Sequence, residues 1–178
     1  MFQEQIAEQT ASHLRVHFEE YLEEVEERFS GSDRLNLKIP DVSSVSLVGG
    51  VIQAPVEALP VVAVDCLNKS VIPNNESLYL YQYDGAIVGM VEGSSESVCD
   101  RRVKRYAAAG EKFIKEHQYL HENFETNTKP YGIREFLYNS SRFSGTMEVK
   151  SEDGPTVWIA GFALDVLWIS SEDGERQH

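Results

Sequence analysis

The sequence has little of what usually announces a function class. No stretch approaches the roughly 18 apolar residues that a membrane-spanning helix needs. The N-terminal MFQEQIAEQT has neither the basic start nor the apolar run of a signal peptide, so secretion is not expected. Cysteine is scarce. Cys66 and Cys99 are the only two, which fits a pair of buried thiols in a reducing compartment better than a disulfide. Basic residues are outnumbered, 16 Lys and Arg against 29 Asp and Glu, for a net charge of −13. Sequence-independent nucleic-acid binding runs on phosphate neutralisation, so it is not expected here. An acidic surface that lets DNA pass without gripping it is compatible with this balance.

Motifs of enzyme chemistry are also missing. There is no G-x-S-x-G nucleophile elbow, and Gly49-Gly50 has neither the spacing of a phosphate loop nor a following Lys-Ser/Thr. Cys66 stands beside Asp65, but the run around it is too apolar to lower a thiol pKa. Five histidines give two i,i+4 pairs, His13/His17 and His117/His121. The second pair has the spacing of a zinc-protease helix, yet Gln118 occupies the general-base position and no third ligand is evident. Asp165 is the one carboxylate inside an apolar strand, to be paired with Arg or Lys or set at a sheet edge. No catalytic residue, metal or cofactor is expected from these patterns, and the chain is not read as an enzyme.

What is present is a core. The 178 residues, 42% hydrophobic and 25% charged, suit one soluble domain that needs no staples. Phe2 to Phe29 keeps helical spacing through Ile6, Leu14, Phe18, Leu22 and Val25. Its other faces carry Glu19, Glu20, Glu23, Glu24, Glu26 and Glu27, a candidate acidic surface whose plainer explanation is a solvated helix side. Residues from about 30 to 59 are poorly patterned, with short strands possible at Leu35–Ile39 and Val45–Leu47, and so form a long loop suited to packing on a partner. Pro60 to Leu67 is a nearly continuous apolar run, the pattern of a buried strand, and Asn68 to Glu76 follows as a loop. The stretch from Ser77 to His121 is the organising unit. Its first part reads as a strand, in which Asp84-Gly85 marks either a hairpin turn or a bulge in one long strand. Its second part reads as a helix, with Cys99, Val103, Tyr106, Gly110, Phe113, His117 and Leu120 on one side and Ser94, Ser95 or Ser97 as N-cap.

Ile133 to Tyr138 is a further strand, interrupted at Asn139-Ser140-Ser141 and resuming from Arg142 to Val149. Thr156 to Ile169 alternates two apolar faces, so both sides are expected to be covered, by the core or by a neighbouring subunit. The predicted fold is α+β, a mainly antiparallel sheet of about four to six strands packed on an N-terminal and a central helix. It occupies 1–170 as a single domain, with 171–178 a polar tail.

Three segments carry a resemblance: Leu59-Pro60-Val61-Val62-Ala63-Val64, Ala86-Ile87-Val88-Gly89-Met90-Val91, and Arg101-Arg102-Val103-Lys104-Arg105-Tyr106-Ala107-Ala108-Ala109. Together with the order of elements, they resemble the tail-terminator (tail-completion or neck) proteins of long-tailed bacteriophages. The resemblance covers about 59–121 in sequence and the flanks by element order. It implies a virion protein assembled in the host cytoplasm, a homo-oligomeric ring, usually of six. Such a ring ends the tail tube, meets the tail tube protein and the head connector, and lets DNA through without specific binding. Candidate subunit contacts are Arg101, Arg102 and Arg105, whose plainest partner is the Glu-rich first helix within or between subunits, and Trp158, Phe162 and Trp168. Another head–tail joining protein is the nearest alternative, and a small cytosolic α+β enzyme or binding module the more distant one.

Overall fold

Apolar residues at Ile6, Ala7, Ala11, Leu14, Phe18, Leu22 and Val25 give the first helix one continuous inward stripe. In the computed structural model, which describes residues 3–44, 55–73, 78–118, 133–150 and 154–173, this helix is α1 (Gln3–Glu26). The second helix, α2 (Glu96–Glu116), begins at an extended Ser95 whose hydroxyl accepts from the Val98 amide at 3.3 Å. Glu96 in its first turn and Lys115 in its last complement the helix dipole.

The strands are β1 (Asp41–Ser44), β2 (Val61–Ile72), β3 (Leu78–Gly93), β4 (Ile133–Phe143), β5 (Met147–Val149) and β6 (Val157–Asp173). They form one mixed sheet in the order β1-β2-β3-β6-β4, with β5 continuing the line of β4 beside β6. Only β1 on β2 is parallel; the other pairings are antiparallel. Both helices lie on one face of this sheet, α1 over β1 and β2 and α2 over β3, β6 and β4. The fold is thus the α+β arrangement that the periodicities predict.

The core lies between the helices and the inner sheet face. Val62, Val64, Tyr83, Ile87, Val91, Phe136, Ala160, Phe162, Leu164, Val166 and Trp168 meet Phe18, Tyr106, Phe113 and Ile114. Trp168 is fully buried, stacks on Phe136 with centroids 5.5 Å apart, and donates its indole N–H to Thr10 Oγ1 at 3.0 Å. Two glycines allow close approach. A Cβ at Gly85 would stand 2.1 Å from the Asp65 carbonyl and 2.7 Å from the Trp168 ring, and one at Gly110 would stand 2.7 Å from Leu164 Cδ1. Absence of a side chain at Gly85 therefore lets the largest aromatic lie flat across the sheet.

Several boundaries differ from expectation. Of the two readings of Asp84-Gly85 the single long strand holds, since β3 is continuous, but the irregularity lies across from it, where the β2 register shifts between Cys66 and Asn68. β2 does not end at Leu67 but runs to Ile72, because the polar Asn68, Lys69 and Ser70 are held by pairing with β3 and not by burial. Leu35–Ile39 is not a strand: it follows a single 3-10 turn at Gly31–Asp33 and leads to the short β1. The expected break at Asn139–Ser141 is a register shift inside β4, and β6 carries pairing to Asp173, three residues into the expected tail. Strand Val45–Leu47 and the flanks Phe2 and Leu120 lie outside the described residues.

Gly85→Ala is expected to destabilise the protein by about 2–4 kcal/mol, since the neighbour at 2.1 Å is backbone and cannot swing aside. A urea midpoint unchanged from wild type would contradict this packing.

Candidate functional site

Opposite charges set how the two helices meet. The Glu-rich end of α1 lies against the basic start of α2: Glu26 pairs with buried Arg105, and Glu24 with Lys112. Tyr21 donates to Glu116 at 2.9 Å, so the helices run antiparallel. Arg105 also donates to the Asp33 carbonyl at 2.5 Å and stacks on Phe29 at 3.7 Å, while the Leu35 amide donates to Glu26 at 2.7 Å. One buried ion pair thus ties α1, the 31–35 turn and α2 together.

This register carries the middle of α1 to the far end of α2, where His13, His17 and His117 converge. Their ring centroids are 4.6 Å (His13–His17), 4.6 Å (His13–His117) and 5.0 Å (His17–His117) apart. Their nitrogen donors all lie within 4.8 Å of one another. His117 Nδ1 is 2.9 Å from the Phe113 carbonyl; a carbonyl only accepts, so Nδ1 carries the proton and Nε2 the lone pair. Glu20 stands behind His17, 3.9 Å from its Nδ1. Burial first, then His117 and His17, pull His13 down to about 4. Burial also lowers His117 and raises Tyr21, whose bond to Glu116 adds to the shift. His13 and His117 are thus biased toward the neutral form, the protonation state in which imidazole binds metal.

On the opposite sheet face no described helix or strand packs. Alternation places Val61, Ala63, Ala86, Val88, Met90, Ile159, Gly161 and Ala163 there. A concavity of about 580 Å³ opens between this face and the β4–β5 connection, with exposed Phe143 and Met147 among its lining. Farther along, Asp165 accepts from Arg142 at 2.6 and 3.1 Å and from Ser140 at 2.7 Å. The Arg142 guanidinium holds this carboxyl below its usual range, so the acid in the apolar strand is half of an ion pair. Burial pushes the Cys66 thiol up to about 12 and Cys99 up to about 11, which leaves both protonated and unreactive at neutral pH.

Among the expected subunit contacts the aromatic residues lie in or against the core, and the three arginines, of which Arg101 is partly exposed, have partners within the chain. Phe162 and Trp168 are core residues, and Trp158 packs half-buried against them. Arg105 is spent on Glu26, Arg102 donates to the Glu92 carbonyl at 2.8 Å, and Arg101 stands 3.7 Å from Asp33. The reason is size: the helices cover the β6 face that bears the large aromatics, and the alternate residues, Ile159 to Ile169, fall on the opposite face, where Ile159 is buried and Ala63, Ala86 and Val88 form a small buried cluster of their own. Glu26 also leaves the acidic surface, being buried, and Glu24 is partly covered by Lys112. Glu19, Glu20, Glu23 and Glu27 are exposed. His13 and His17 gain a third neighbour that sequence spacing did not supply, although the charge match of the two helices contained the signal. His121 lies outside the described residues. No protein-family model matches this sequence, and no curated protein is similar to it.

Acid is expected to loosen the helix pair. His13 binds its proton near 6.5 in the unfolded chain and near 4 in the fold. Stability is therefore unaffected above 6.5 and falls as pH drops from there toward 4. The charged and titratable groups around it are His17, His117, Glu20 and Glu116. Thermal melts with a chelator present, from about pH 7.5 to about pH 5, should show a smaller acid loss in His13→Leu, by on the order of 1 kcal/mol given its partial exposure. Equal losses in the two proteins would contradict the depressed pKa.

Proposed function

We propose that this chain is a structural ring subunit at the head-proximal end of a long-tailed phage tail tube. It ends tube assembly, joins the tail to the head connector, and lets DNA pass through the ring. The observation that carries this proposal is the apolar concavity on the outer sheet face, rimmed by exposed Phe143 and Met147, a surface suited to receiving a second copy of the chain. The fold supports it, since the element order that resembles tail terminators is that of the sheet and its two helices. Net charge supports the channel: −13 per subunit, multiplied around a ring, repels phosphate and keeps DNA from sticking. Buried unreactive thiols and an Asp165 committed to Arg142 favour a scaffold over an enzyme.

Native mass measurement of the purified chain is expected to give a closed ring of about six subunits, alone or on addition of tail tubes. Phe143→Asp combined with Met147→Asp should break the ring while leaving the monomer's melting temperature within a few degrees, because both side chains are already exposed. A chain that stays monomeric with tubes present, or a ring indifferent to both substitutions, overturns the proposal. Rings that bind the head connector but never the tube would point to another head–tail joining protein.

A further inference from the structure

Three imidazoles from two helices meet at one point of the helix interface. The geometry points to a divalent metal site of the zinc class formed by His13, His17 and His117, fastening α1 to α2 at the end away from the Arg105–Glu26 pair.

Spacing is the first support. His13 and His17, one turn apart on α1, present two donors on the same side, and His117 supplies the third from α2. Around tetrahedral zinc, with Zn–N of about 2.0–2.1 Å, ligand nitrogens lie about 3.3–3.4 Å apart. From donors already within 4.8 Å this requires a contraction of at most about 1.5 Å, within reach of side-chain torsions alone.

Orientation is the second. The Phe113 carbonyl fixes His117 in the tautomer whose Nε2 is a free ligand, the arrangement in which a backbone acceptor usually holds a metal-binding histidine. Glu20, 3.9 Å from His17 Nδ1, is beyond hydrogen-bond distance as it stands but reaches that nitrogen by a small side-chain torsion. Donor type is the third. Three imidazole nitrogens suit zinc, nickel or copper and not magnesium or calcium, and a three-histidine set leaves a fourth position for water or a carboxylate from the partly exposed His17 side. The site is independent of ring assembly, since all three ligands come from one chain.

The test uses the full chain without any added histidine tag, freed of metal by chelator and dialysis. Cobalt(II) is expected to bind at one equivalent with the intense visible absorption of four-coordinate cobalt, and zinc to displace it. Zinc at about 100 times its dissociation constant should raise the melting temperature by roughly 5–10 °C. His13→Asn, His17→Asn and His117→Asn should each weaken binding at least about tenfold and abolish the cobalt spectrum, whereas His121→Asn should keep it. Pale six-coordinate cobalt in the wild-type chain, no thermal shift with zinc, or a spectrum that needs His121 would each overturn the assignment. Because the wild-type spectrum is itself decisive, failure of a variant to fold does not shield the proposal.

Discussion

The antiparallel ladder between β3 and β6 is the constraint on which the rest of the structure depends. It pairs all 16 residues of β3, from Leu78 opposite Asp173 to Gly93 opposite Trp158. Period-two alternation along two such strands fixes both sheet faces at once, because a one-residue slip would exchange them. Trp158, Phe162 and Trp168 then fall on one side together with Tyr83 and Ile87, and that side demands cover. Gly85 and Gly89 are the concessions the ladder makes to it, since side chains there would strike Trp168 and Phe162. Both helices are drawn to this face, and among the described residues no helix packs on the opposite, apolar one. The surface argued to join subunits is thus a consequence of how the core is built.

The helix pair is held on the sheet by two fastenings of different chemistry. At one end Arg105 and Glu26 are buried together. Such a pair adds little net stability, but losing one partner strands a charge at a cost of about 3–5 kcal/mol, so it works mainly by specifying register. At the other end three histidines meet, and their geometry changes little if a metal joins them. Between the two lie Phe18, Tyr106, Tyr21 and Phe113 in aromatic contact. Register set by the ion pair is what brings His117 opposite His13, so a structural contact at one end determines whether a site exists at the other.

Elements with strong periodicity were legible in the sequence. Stripes on α1 and α2, a serine cap for α2 (Ser95 of the three candidates), the valine run of β2 and the two-faced β6 all report local physics that tertiary structure did not override. Segments held by pairing were not legible. Asn68–Ile72 and Asn139–Ser141 carry polar residues that burial does not claim, yet they remain strands because neighbours supply their hydrogen bonds. Asp84-Gly85 has turn chemistry, but its glycine serves Trp168, a residue more than 80 positions away. The candidate site was legible only in part. Spacing found His13 and His17 without their third member, and aromatic content nominated Trp168 and Phe162 as surface when their size assigns them to the core.

The central claim is that function lies in the outer sheet face, pressed against another copy of this chain. A high-resolution electron-microscopy image of the chain assembled on a tail tube tests it most directly. The account predicts a ring at one end of the tube, with Phe143 and Met147, exposed in the single chain, buried against the neighbouring subunit. A particle in which that face looks onto solvent, or in which the chain is absent from the tube end, would contradict it.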